Sequence, residues 1–160
     1  MKRWIDAKLL ERKFMLQQTA AKENLPEYAV EKDWWVTMTL KALFNTRCGK
    51  YLEFKGGTSL SKGWRLIERM SEDIDMALNY RFSDFASPYV PSRVKVELSC
   101  LSMDEPFEMK SITSLISASF PDEDEDTESV IPVVLPSRTF LEKAFLLNEE
   151  FQKEEPRSLR

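Results

Sequence analysis

Residues 52–78 read LEFKGGTSLSKGWRLIERMSEDIDMAL, and this stretch decides the fold. With Tyr51 ahead of it, Leu52-Glu53-Phe54-Lys55 alternates as a strand does, placing Leu52 and Phe54 on one face. Gly56-Gly57 breaks the strand. Thr58 or Ser59 is then expected to cap a helix whose apolar positions Leu60, Trp64 and Ile67 recur at helical spacing. A second strand follows at residues 73–78, where Asp73 and Asp75 share one face and Ile74, Met76 and Leu78 take the other. Carboxylates supply the hard oxygen ligands that Mg²⁺ prefers, and the N–H groups of a glycine turn feeding a helix hold phosphate oxygens. Each part alone has an ordinary reading. A Gly-Gly turn is commonly a plain connection, and an Asp-x-Asp pair is commonly a solvated strand face.

Composition narrows the chemistry. The 160 residues suit one domain with a substantial core. A net charge of −4 argues against gripping nucleic acid through overall positive charge, so any such contact needs a local basic patch. The absence of histidine excludes Ser-His-Asp hydrolysis, imidazole acid–base chemistry and histidine metal ligands. Cys48 and Cys100 lack metal-ligand spacing and fit a reducing cytoplasm better than a disulfide framework. Lys2 and Arg3 precede no signal-type apolar core, and no apolar run reaches membrane-spanning length.

Around the central stretch the pattern is mixed. Residues 4–23 read as a charged helix with an imperfect stripe of Ile5, Leu9, Phe14 and Leu16. Pro26 suits the first turn of a second helix over 26–45, lined on one side by Val30, Trp34, Met38 and Leu43. Trp34 and Trp35 read as core rather than as base-stacking groups. Residues 93–100 alternate as a strand with Val94, Val96 and Leu98 inward, and residues 107–113 form the next strand, hairpin-paired across 102–106. The five acids at 122–126 read as a solvated loop, since they lack the glycine of a calcium loop. Residues 130–135 are apolar but contain Pro132, which suggests an edge strand. Pro136-Ser137 then opens a helix.

Taken together, strand, GG[ST], helix and D-hydrophobic-D on the next strand resemble the signature of the polymerase-β-like nucleotidyltransferases. The string KGGTSLSK…ERMSEDIDMAL is similar to the AbiEii/AbiGii toxin branch, the enzymatic half of type IV toxin–antitoxin systems. The runs EKDWWVTMTLKALF and PSRTFLEKAFLL carry the likeness over most of residues 28–151. The resemblance implies an α/β (α+β) fold, a small mixed sheet flanked by helices. It also implies a single domain over 1–160, with N-terminal helices at 4–45 and a catalytic core at 50–151. Such a sheet needs a third carboxylate on a neighbouring strand, for which Glu97 is the candidate beside Asp73 and Asp75. These three would be the catalytic and Mg²⁺-binding residues. Gly56, Gly57, Thr58 and Ser59 would cradle the triphosphate, with Lys62, Arg69 and Lys143 as candidate charge partners; each lysine also reads as an ordinary helix-surface residue.

The chemistry so implied is nucleotide transfer from a nucleoside triphosphate to an acceptor such as RNA, notably tRNA, in the cytoplasm, opposed by a cognate antitoxin protein. Relatives usually carry a helical insert after the second strand and a C-terminal helical region with a further Asp motif. Here residues 79–88 form a short connection and the sequence closes on a charged run at 149–160. Weak transfer to RNA is therefore expected, and a non-catalytic nucleotide-binding remnant is the alternative. A metal-dependent nuclease also clusters carboxylates, but has no need of a triphosphate cradle.

Overall fold

The computed structural model describes residues 2–68, 73–79, 96–101, 106–125 and 128–152. The fold is mixed α/β, as the sequence leads one to expect. Among the described residues five strands form one sheet in the order β3-β2-β1-β5-β4. They are β1 (Leu52–Lys55), β2 (Ile74–Asn79), β3 (Val96–Leu101), β4 (Phe107–Ile112) and β5 (Ser129–Val134). The β1–β2 and β4–β5 pairs are antiparallel, whereas β2–β3 and β1–β5 are parallel. The helices are α1 (Leu9–Glu23), α2 (Glu27–Phe44), α3 (Gly56–Lys62), α4 (Leu115–Ser119) and α5 (Pro136–Phe151).

The second helix is a wall shared by two cores. Val36 and Leu40 pack on the sheet face carrying Leu52, Phe54, Ile74, Met76, Ile131 and Val133. Val30 and Trp34 instead join Trp4, Met15, Ala20 and Ile116 in a second cluster. Sequence periodicity found the Val30–Trp34–Met38 side of α2; burial of the other side removes the contrast that a periodic reading needs. Trp34 is buried as expected, with Trp35 half-exposed and edge-on to it at 5.0 Å.

Several sequence expectations need correction. Residues 4–23 are not one helix. Trp4–Asp6 is a 3-10 turn, Ala7 and Lys8 are extended, and α1 starts at Leu9. The break resets the helical phase, so Leu9 and Phe14 are exposed while Met15, Thr19 and Ala20 turn inward. Residues 107–113 do not form a hairpin with β3: β4 lies at the far edge and pairs with β5. Residues 130–135 accordingly hold an interior strand, not an edge. Its ladder to β1 is registered only at Phe54↔Val133, which leaves room for a residue without an N–H at Pro132. The connection at 80–88, the strand start at 93–95, the loop at 102–105, Arg69 and the tail beyond 152 lie outside the described residues.

The acidic run is not wholly solvated either. Asp122, Glu123 and Glu125 are exposed, but Asp124 is fully buried. Its carboxylate accepts from the Trp4 backbone N–H (3.0 Å), Trp34 Nε1 (3.0 Å) and Ser114 Oγ (3.2 Å). The 3-10 turn, α2 and the start of α4 thus meet on one side chain. Removing it leaves two buried N–H donors without an acceptor, each costing on the order of 1–3 kcal/mol. Asp124→Ala is expected to lower stability by about 3 kcal/mol in urea titration, while the exposed Asp122→Ala changes it by less than about 0.5 kcal/mol.

Candidate nucleotide and metal site

Strand register sets the frame of the site. In β1–β2 the Cα of Lys55 pairs with Asp75, and in β2–β3 Asp75 pairs with Glu97. Lys55, Asp75 and Glu97 therefore form one row across three neighbouring strands, on the face opposite Phe54 and Met76, with Cα atoms about 5 Å apart at each step. Asp75 is half-buried in this row, whereas Asp73 is exposed just before β2 begins. Glu97 is placed here by its backbone register alone.

The glycine turn is shaped around Asp75. Gly56 has φ +79°, a left-handed conformation that glycine adopts without a Cβ clash. It turns the chain from β1 into α3 in a single residue. A Cβ at Gly56 would run into the Asp75 carboxylate, with Oδ2, Cγ and Cβ as its nearest neighbours. The carboxylate of β2 thus rests against bare backbone at the end of β1. Because the helix begins at Gly56, neither Thr58 nor Ser59 is its cap, contrary to the sequence expectation. Both lie buried in the first turn instead. Thr58 Oγ1 donates to the Asp73 carbonyl (2.5 Å) and Ser59 Oγ donates to the Gly56 carbonyl (2.8 Å). These hydroxyls hold the turn and the approach to β2 together, and Gly57 sits half-buried between them and Gly56.

The third helix is also shorter than its apolar spacing suggested. It stops at Lys62; Gly63 and Trp64 form a turn, Arg65 takes φ 54°, and the Leu66 N–H returns to the Leu60 carbonyl (2.9 Å). Trp64 leaves the helix to donate its Nε1 proton to the Val134 carbonyl (2.9 Å). Lys62 does not stand on a solvated surface. Its ammonium bonds Asp33 Oδ1 of α2 (2.5 Å) and the Thr113 carbonyl (3.2 Å), with side-chain exposures of 8% and 11% for the ion pair. The structure therefore brings Gly56, Thr58, Ser59, Asp73 and Asp75 together and ties Lys62 to α2.

On α5, Lys143 is exposed and follows Glu142, whose carboxylate meets Lys55 Nζ at 3.2 and 3.3 Å. The fifth helix thereby reaches the face that bears the carboxylate row. Lys55 and Glu142 were missed by sequence reading. The alternation of Leu52 to Lys55 held a signal for the face of Lys55, but only the antiparallel register sets it opposite Asp75. Among the described residues no group of three or more His, Cys, Asp or Glu side chains is gathered as a metal site. The candidate donors, Asp73 and Asp75 with Glu97 at the next position of the Asp75 row, are carboxylates of the kind Mg²⁺ takes.

A glycine turn between a strand and a short helix packs here against an acid-bearing second strand. Residues 39–87 match the family model described as nucleotidyl transferase AbiEii toxin, type IV TA system. That match spans just under a third of the chain and contains β1, α3 and β2 with Gly56 to Asp75, while Glu97 and Lys143 lie beyond it. No curated protein and no solved structure matches the chain.

The contact between Gly56 and Asp75 has a measurable signature. Gly56→Ala is expected to cost about 2 kcal/mol or more, from the left-handed backbone and the displaced carboxylate together. In an Asp75→Ala background the same change should cost about 1 kcal/mol less, because the carboxyl group is gone and only the Cβ of residue 75 remains close. Chemical denaturation of the two single variants and the double variant checks the coupling.

Proposed function

We propose that this protein is a Mg²⁺-dependent nucleotidyltransferase toxin of a type IV toxin–antitoxin pair, moving a nucleotide from a nucleoside triphosphate to an RNA acceptor. The observation that carries the reading is Asp75 seated against Gly56 in the carboxylate row, inside the stretch that matches the AbiEii family. Asp73, Asp75 and Glu97 would hold the metal, which supplies charge neutralisation on the phosphates and a more acidic acceptor hydroxyl. The backbone of Gly56 and Gly57 positions the triphosphate beside them. Thr58 and Ser59 keep that backbone in place through their hydrogen bonds to Asp73 and Gly56. The acceptor oxygen forms a bond to the α-phosphorus, the α–β phosphoanhydride bond breaks, and pyrophosphate leaves.

An acceptor as large as tRNA fits the toxin reading, and the exposure of Lys143 on α5 supports a role for it toward the triphosphate. The partner that opposes the activity would be a cognate antitoxin protein, and the compartment the cytoplasm. No helix among the described residues is long and apolar enough to cross a membrane.

Mg²⁺ with the correct nucleoside triphosphate is expected to raise the melting temperature, by the equivalent of about 2.7 kcal/mol at 100 times the dissociation constant. Asp75→Asn should remove most of that shift while leaving the apolar face of β2 intact. Incubation with labelled triphosphates, Mg²⁺ and total RNA should move label onto RNA at a low level, and Asp73→Ala with Asp75→Ala should abolish that transfer. Cleaved RNA without label would make the protein a nuclease, and binding without transfer would make it a nucleotide-binding remnant.

A further inference from the structure

We propose that Lys55 is the cation that receives the triphosphate, and that Glu142 of α5 holds its ammonium in place until the ligand arrives. The inference rests on the nucleotidyltransferase reading and assigns a residue within that site. Lys55 directly precedes Gly56 and stands in the same cross-strand row as Asp75 and Glu97. Its side chain is only 14% exposed, so the ammonium is kept along the sheet face and not out in solvent. A positive charge in that row sits beside the carboxylates that would hold the metal, where both would act on the same phosphate oxygens.

The ion pair is built to exchange. Both carboxylate oxygens of Glu142 accept from Lys55 Nζ, and Oε1 also faces Arg138 at 3.6 Å, one helical turn back on α5. When Lys55 turns to a phosphate, Glu142 keeps a cationic neighbour and is not left as a lone charge in a partly buried site. A triphosphate carries several negative charges where Glu142 carries one, so the exchange runs toward the ligand. Lys62, the cation that the sequence suggests for this task, is already bound to Asp33 and Thr113 in a mostly buried pair.

Inorganic tripolyphosphate with Mg²⁺ is the probe, because it carries the phosphate chain common to all four nucleoside triphosphates. Calorimetric titration of the full chain should show binding to wild type. Lys55→Met should weaken it about tenfold or more, the scale of one charge-assisted hydrogen bond, and Glu142→Gln should tighten it severalfold. A merely structural ion pair would lower the melting temperature of both variants and leave the affinities unchanged, which overturns the assignment of Lys55 and leaves the enzyme reading standing. Should Lys55→Met fail to fold, Glu142→Gln decides alone: unchanged or weaker binding overturns the proposal. If wild type binds neither tripolyphosphate nor any nucleoside triphosphate, the nucleotidyltransferase reading falls and this inference with it.

Discussion

The architecture turns on Asp33, a carboxylate on the central helix that the packing takes almost wholly out of water. One oxygen receives the Lys62 ammonium from the end of α3, and the other accepts the Leu115 N–H at the start of α4. An ion pair in such surroundings survives only when its remaining hydrogen-bonding capacity is met, and here the Leu115 N–H and the Thr113 carbonyl meet it. Trp34, the next residue on α2, reaches a second buried acid, Asp124. Two adjacent positions of one helix therefore fasten the sheet side and the helical side of the molecule to a common wall.

The site inherits its geometry from this attachment. The third helix is fixed at its far end by Lys62 and at its near end by Thr58, so the β1–α3–β2 unit has little freedom to shift against α2. Gly56 lies at the join, where the Asp75 carboxylate fills the space that any side chain would need. Sheet register then determines which charges share a face, and α5 covers part of that face through Glu142. Helices, register and a single glycine set the chemistry together.

How far the sequence discloses this depends on how local the determining contact is. The Gly56-Gly57 break, the Asp73–Asp75 pair and the Ile74/Met76 face are legible because alternation and glycine act over a few residues. The early end of α3 is not, since Leu60, Trp64 and Ile67 keep helical spacing while Trp64 is drawn to the Val134 carbonyl far along the chain. Pro132 misleads for a related reason: its missing N–H argues for an edge, but the order of strands is settled by contacts with β1 and β4. Asp124 cannot be told from its acidic neighbours by composition, because only the fold brings Trp4, Trp34 and Ser114 to it. The Lys55–Asp75–Glu97 row needs a register that no single strand encodes.

The linkage of the two chain halves bears on how the protein emerges from the ribosome. The Trp4 N–H meets Asp124 across 120 residues of sequence, and β1 gains its second neighbour only when β5 has been made. A nascent chain can pair β1 with β2 early, yet the other edge of β1 stays open until β5 arrives, and Lys55 stays without Glu142 until synthesis has passed α5. Contacts so distant slow the final collapse and lengthen the interval in which such surfaces are open to chaperones. The same delay means that a partly translated chain carries the glycine turn and its acids without the helix that finishes their surroundings, so synthesis itself postpones assembly of the site.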